Sequence, residues 1–249
     1  MSIRNKIIMA IAFSMISCLG AYFIITKIFD NLENQLYEKC RIEALTGARA
    51  MSEIMHFMVK NNMLTKEAVF DRNYIEIPGS NPKKYHTRYD VIFDTWIQNI
   101  EDQFLFDNDV EFAVLIDING YVPTHNSKYS KPQTNNYAKD VIYSRSKRNF
   151  SAYEGINKIL AYSGNDTIRE LYHRDTGEII WNIGAPVRLY DKKWGSFLIG
   201  VNLERINIIK NQMLVLIIVT MSVILAVTNL VILAIIPRKY LSSHIFNQG

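Results

Sequence analysis

The chain has little cysteine: Cys18 and Cys40 are the only two in 249 residues. Cys18 falls inside an apolar run, so one cysteine is left to the polar part of the chain and no intrachain disulfide is expected there. An excess of one charge sign is missing as well. The formal net charge is +4, but Arg4, Lys6, Arg238 and Lys239 are the only charges outside Lys27–Lys210. Taking those four from the 28 basic residues leaves 24 against 24 acidic ones. A neutral block of this kind argues against a nucleic-acid surface. The five histidines, His56, His86, His125, His173 and His244, are scattered without zinc-ligand spacing. There is no glycine-rich phosphate loop, no Gly-x-Ser-x-Gly and no Cys/His pair in a catalytic context. Asp71, Asp90, Asp94 and Asp117 form no recognisable carboxylate motif. These absences argue against an enzyme and against a metal centre. Finally, no proline precedes Pro78, so nothing interrupts a helix over the first third of the chain.

Two long apolar runs are present. Ile7–Thr26 is 20 residues without a formal charge and Met213–Ile236 is 24 more. At about 1.5 Å rise per residue, each is long enough to cross a hydrocarbon core about 30 Å thick. The first run also fits a signal peptide, but it exceeds the usual h-region and continues through Tyr22, Phe23, Ile24 and Ile25. An uncleaved anchor is therefore the expected reading. The purely basic ends suit the cytoplasmic side. The expected layout is a cytoplasmic tail (1–6), a first transmembrane helix (7–29), an extracytoplasmic domain (30–208), a second transmembrane helix (213–236) and a cytoplasmic tail (237–249).

Within the middle block, Ile28, Leu32, Leu36 and Cys40, then Leu45, Ala48, Met51 and Met55, recur at helical spacing. The pattern continues directly from the first run and predicts one helix of about 50 residues. A helix that long and narrow usually packs on a partner, so a homodimer is expected; the alternative is a helix folded onto its own domain, and the two are compatible along different stretches. Cys40 on this helix either meets its twin in a homodimer or packs in a helix interface, and the second reading is favoured. A turn-rich segment, 77–82, leads to a second helix over Arg88–Phe106. Strand Glu111–Asp117, the Asn119-Gly120 turn and strand Tyr121–His125 read as a hairpin. A polar excursion follows, with a short helix near Tyr137–Ser146. Three strands close the block: Thr167–His173, Glu178–Leu189 and Trp194–Val201. The fold class is α+β: two transmembrane helices flank a PAS-like domain with a long N-terminal helix and a five-stranded antiparallel sheet.

Five segments appear in a characteristic order: Pro82–Asp90, Asp117–Asn126, Ser146–Phe150, Tyr172–Glu178 and Lys193–Gly195. Together they resemble the periplasmic single Cache sensor domain of bacterial methyl-accepting chemotaxis receptors, over most of residues 80–200. The resemblance implies a domain that reads a small molecule outside the cell. Relatives that hold haem covalently use a Cys-x-x-Cys-His motif; this chain has none, and no cofactor is expected.

The pocket of a PAS-like domain lies between the sheet face and the segments that cover it. Polar and aromatic residues at strand ends and in the excursion are the candidates: Tyr121, Thr124, His125, Asn126, Arg145, Lys147, Arg148, Tyr172, Asp175, Trp181 and Trp194. Each has an alternative role. The tryptophans pack a core, Asp175 serves its turn, the basic cluster is a solvated face, and His125 bonds backbone. Read functionally, the basic cluster pairs with a ligand carboxylate or phosphate and His125 tunes binding with pH.

The expectation is a membrane-anchored small-molecule sensor in the bacterial inner membrane, its domain in the periplasm, acting in chemoreceptor-like signal transduction. The alternative is an adaptor without an output module that pairs with a separate receptor or kinase. A third reading makes the chain the sensor part of an enzyme regulated across the membrane, with Ile235–Lys239 as the start of a linker.

Overall fold

The structure is a computed structural model that describes residues 2–175 and 177–236, without the side chains of residues 203–205. The expected tail 237–249, with His244, and Thr176 of the Asp175–Gly177 turn lie outside the described residues. In chain order the elements begin with α1 (Ile3–Lys60), α2 (Lys66–Val69), β1 (Ile75–Glu76), β2 (Tyr85–His86) and α3 (Asp90–Gln103). Next come β3 (Val110–Asp117), β4 (Tyr121–Val122), α4 (Tyr137–Tyr143), β5 (Arg148–Asn149) and α5 (Glu154–Ala161). The last are β6 (Ile168–His173), β7 (Ile179–Leu189), β8 (Lys192–Asn202) and α6 (Leu203–Ile235).

Two compact units result. One comprises the described residues up to Gln35 with those of 206–236; the other is Leu36–Arg205. In the first unit both helices are apolar and long enough to cross a membrane. Their large apolar side chains, among them Phe13, Ile16, Phe23, Leu214, Val215 and Leu230, lie exposed. Helices that are apolar all round and bare suit a membrane-anchoring role.

The Leu36–Arg205 unit is built on a four-stranded antiparallel sheet in the order β3-β8-β7-β6. Alternation along each strand sends one set of side chains to each face. The first face carries Ala113, Leu115, Ile183, Ala185, Val187, Phe197 and Ile199 against α1 and α3. On α1, Cys40, Ala44, Ala48, Met51, Met55 and Met58 are buried at helical spacing, so the stripe is self-packed over this stretch. Small residues let the helix come close. A methyl group added at Gly47 would stand 2.1 Å from the Phe197 ring. Burial pushes the Cys40 thiol up to about 12, with Glu43 adding to the effect, which fits the helix-interface reading. The second face carries Phe112, Val114, Ile116, Ile180 and Leu198 beneath the excursion between β4 and β6.

The sheet has four strands where five were expected. The segment after the Asn119-Gly120 turn does not return along β3. Asp117 Oδ1 accepts the N–H groups of Asn119 and Tyr121, each at 2.9 Å, so the side chain takes a donor that a hairpin ladder would use. Only Tyr121–Val122 is extended, and it pairs with β5. Pro123 then has no N–H to offer a ladder. The open edge of β3 is closed by side chains. Asn126 Oδ1 accepts the Ala113 N–H at 2.9 Å, and Glu101 Oε1 accepts the Leu115 N–H at 2.7 Å. Gly120 is required at the turn: its φ is +86°, and a Cβ there would stand 2.7 Å from the Ser151 nitrogen.

The β7–β8 hairpin turns on Tyr190 and Asp191, at φ +51° and +60°. Positive φ at both positions matches the right-handed strand twist. Lys66 and His56 hold the Tyr190 ring, with the lysine ammonium 4.4 Å and the imidazole 4.7 Å from its centroid. Sequence patterning did not reveal α5, which follows a turn pinned by bonds from Ser151 and Asn157.

Candidate functional site

Beneath the excursion, Phe112 and Ile116 from β3 and Leu198 from β8 form an apolar floor. Val122, His125, Arg145, Phe150, Ile156 and Tyr172 close it into a cavity of about 20 Å³. That is room for about one water molecule. Of the lining residues, His125, Arg145 and Tyr172 carry polar atoms. Elsewhere in the unit Thr124, Asn126, Arg148, Arg174, Asn182 and Ser196 are also buried.

Two of the three arginines are bound to one carboxylate. Arg145 Nη1 donates to Asp175 Oδ1 at 2.7 Å and Arg148 Nη2 to Asp175 Oδ2 at 2.8 Å. Arg145 also donates to the Tyr172 hydroxyl at 2.9 Å and the Val141 carbonyl at 2.9 Å. Arg148 reaches the same carbonyl at 3.1 Å. Both guanidiniums lie over the Phe150 ring, 4.8 and 4.9 Å from its centroid. Burial alone would raise the Asp175 carboxyl, but Arg145 and Arg148 hold it below its usual range. Asp175 thus does more than serve its turn: it ties β6 to the excursion.

Other buried polar groups of the unit are unpaired. Thr124 Oγ1, His125 Nδ1, Asn126 Nδ2, Ser196 Oγ and both amide atoms of Asn182 are buried without a protein partner. So are Nε and Nη2 of Arg174. The His125 ring stands 5.7 Å from Phe112 and 5.1 Å from Tyr129. Burial, followed by Arg145, Arg174 and Arg148, drives its pKa well below the ordinary histidine value. Asn182 lies in register with Gly200, and Gly200 with Phe112, which sets its amide on the same face beside the Phe112 ring. Each unpaired buried donor or acceptor costs about 1–3 kcal/mol, so the cluster is not explained by stability.

The sequence candidates separate into two groups. His125, Arg145 and Tyr172 line the cavity, and Asp175 ties Arg148 to Arg145 there. The others lie elsewhere. Tyr121 is in the helix-side core, its hydroxyl donating to Asp90 at 2.7 Å. Trp194 packs there too, donating from Nε1 to the Val69 carbonyl at 2.7 Å. Trp181 is half-buried on that face under the Arg169 guanidinium, 4.5 Å away. Lys147 pairs with Asp94 at 2.8 Å. The opposite faces follow from alternation: odd positions of β7 meet α1 and even positions meet the excursion. Arg174, Asn182 and Phe112 were not among the candidates. Arg174 was legible in principle, two residues beyond Tyr172 and so on the same face. Among the described residues no three or more His, Cys, Asp or Glu side chains gather as a metal site.

No protein-family model and no curated protein matches the chain. Solved structures do. The Escherichia coli DcuS sensor domain matches at 21% identity and TM-score 0.34, covering 46% of this chain and 72% of that one. The Vibrio cholerae histidine kinase DctB sensor domain matches at 14% and 0.37, covering 73% and 58%. The sensory domain of the Campylobacter jejuni chemoreceptor Tlp3, with isoleucine bound, matches at 12% and 0.40, covering 78% and 66%. These neighbours are Cache/PAS-like sensor domains, the kind the sequence segments resemble.

Proposed function

We propose that this protein is a membrane-anchored sensor of a small molecule, with the Leu36–Arg205 unit outside the cytoplasm. In a bacterium the anchor is the inner membrane and the sensing unit lies in the periplasm. The observation that supports this is the layer of buried, unpaired polar groups over the apolar floor of Phe112, Ile116 and Leu198. A few placed polar groups among aromatics is how small-molecule sites are built. The cavity is too small for a metabolite as it stands, so binding requires the excursion to lift from the sheet. A ligand that binds the lifted arrangement better shifts the population toward it. Strand β8 runs directly into α6, and α1 runs from one unit into the other, so both helices can carry such a shift. Exposed Ile42 and Phe57 on α1 support pairing with a second copy. Chemoreceptor-like signalling is the role proposed for the assembly.

The full chain in lipid nanodiscs, melted with a panel of acids, amines, amino acids and purines, tests the reading. A ligand at 100 times its Kd adds about 2.7 kcal/mol of stability. A clear upward shift with one class is expected; silence across a broad panel counts against a sensor.

A further inference from the structure

A second opening in the Leu36–Arg205 unit lies at the edge of the sheet. β6 pairs with Ile179–Gly184 of β7, so beyond Gly184 the strand β7 has β8 on one edge only. Here α1, the connection from α5 to β6 and the end of β7 line a cleft of about 230 Å³, more than ten times the cavity beneath the excursion. The two share no lining residue. Both charged residues on the wall of the cleft are arginines, Arg49 from α1 and Arg188 from β7, joined by the polar side chains of Ser52 and Asn165.

The wall is held by its own hydrogen bonds. Arg188 Nη2 donates to the Ser163 carbonyl at 2.7 Å, and Ser52 Oγ donates to the Arg188 carbonyl at 2.5 Å, which fastens α1 to β7. Among the described residues no carboxylate pairs with Arg49 or Arg188. Asp166, next to Asn165, is taken by Arg41 at 2.7 Å. Glu53, one turn along α1 from Arg49, is exposed and pairs with neither arginine. Lys193 adds a third positive charge: its ammonium donates to the Tyr162 carbonyl at 2.6 Å. Burial, then the charge of Arg188, pushes the Lys193 pKa down to about 8; a carboxylate close by would act the other way.

A cleft walled by one sign of charge concentrates ions of the other. We infer that this cleft binds a phosphate-class oxyanion, inorganic phosphate or a phosphate monoester, between Arg49 and Arg188. Arginine N–H forks match phosphate oxygens, and a dianion answers two guanidiniums where a monocarboxylate would answer one. No aromatic ring lines the cleft, and Leu45, Ala48 and Pro186 supply its apolar part, which suits a small aliphatic ester. An ion held there ties α1 to β7 and to the α5–β6 connection, at a place separate from the one proposed for the sensed molecule.

Calorimetry on the full chain in micelles of an uncharged maltoside detergent tests this. Inorganic phosphate, glycerol 3-phosphate, acetate and chloride are titrated at equal ionic strength into wild type, Arg49→Gln and Arg188→Gln. Saturable binding of phosphate or its ester is expected, with acetate and chloride weaker by about tenfold or more. Each variant is expected to lose a similar factor. Arg49 is exposed and without a partner, so Arg49→Gln should melt like wild type and decides the matter even if Arg188→Gln does not fold. Phosphatidic acid doped into the micelles supplies the same group on a lipid. Binding of the lipid alone, lost in Arg49→Gln, keeps the phosphate class and assigns it to a headgroup. Phosphate and chloride alike, acetate as tight as phosphate, or wild-type affinity in Arg49→Gln overturns the site.

Discussion

Replacing Asp175 by alanine removes the one carboxylate that Arg145 and Arg148 share. The three side chains are 16%, 3% and 10% exposed, so the lost partner is not replaced by bulk water. Removing one member of a buried pair costs about 3–5 kcal/mol. Arg145 retains the Tyr172 hydroxyl and the Val141 carbonyl, and Arg148 retains that carbonyl. Those neutral acceptors place the cost near the lower end, about 3 kcal/mol. For a unit of this size, Leu36–Arg205, each kcal/mol moves the melting temperature by about 2–4 °C. A loss of about 6–12 °C follows. Tryptophan fluorescence of the full chain in detergent micelles, which bring no tryptophan of their own, reports this unit alone, because Trp96, Trp181 and Trp194 are the only tryptophans and all lie within it. Asp175→Asn keeps one acceptor oxygen and is expected to lose roughly half as much. Adding Arg148→Met to Asp175→Ala removes one uncompensated cation, and a double-mutant cycle should show coupling of about 1 kcal/mol or more. The acid limb carries a second signature. The folded-state pKa of Asp175 is depressed, so its contribution is present above the unfolded value and is lost as pH falls through the folded one. Asp175→Asn should lack that loss. Melting of Asp175→Ala within about 2 °C of wild type, with no coupling to Arg148→Met, would refute the fork as a structural element. It would return both arginines to the ligand.

Glu101 is wholly buried, and burial raises its carboxyl pKa well above the ordinary value. Its contribution is fully present below the unfolded pKa and is lost as pH rises through the folded one, at up to about 1.4 kcal/mol per pH unit. Glu101→Gln keeps an acceptor for the Leu115 N–H and should flatten that slope in denaturant titrations across this range; an unchanged slope assigns it to another group. Gly47→Ala puts a methyl 2.1 Å from the buried Phe197 ring. Overpacking of about 1–3 kcal/mol should outweigh the helix-propensity gain of about 1 kcal/mol, and a melting temperature at or above wild type would show that the ring yields freely.

Sequence periodicity carried the parts of the architecture that depend on local order. The two charge-free runs, the continuous helix that became α1 and the three-strand meander were legible, because side-chain spacing reports directly which face of a helix or strand is buried. Even there the unbroken 58-residue span of α1 agrees with the absence of proline before Pro78. His125, Arg145, Arg148, Tyr172 and Asp175 were singled out from the sequence as polar and aromatic residues at strand ends and in the excursion, and the fold brings them near one another.

The rest was decided by tertiary contacts. Nothing local says that Asp117 will take the Tyr121 amide, so the fifth strand was expected and its place on β3 went to the side chains of Asn126 and Glu101. Trp181 and Trp194 have the same composition signal as a ligand-stacking ring, and only the packing of α1 and α3 on one sheet face assigns them to a core. The pairing of the arginines is tertiary as well. Arg145, Arg148 and Arg174 are indistinguishable as residue types, and a guanidinium is free or spent according to which carboxylate the fold brings beside it. Asp175 takes two of them, and Glu178 takes one edge of the third. Charge pairing across a sheet end is a property of distances between segments far apart in sequence, and those distances exist only once the chain has folded.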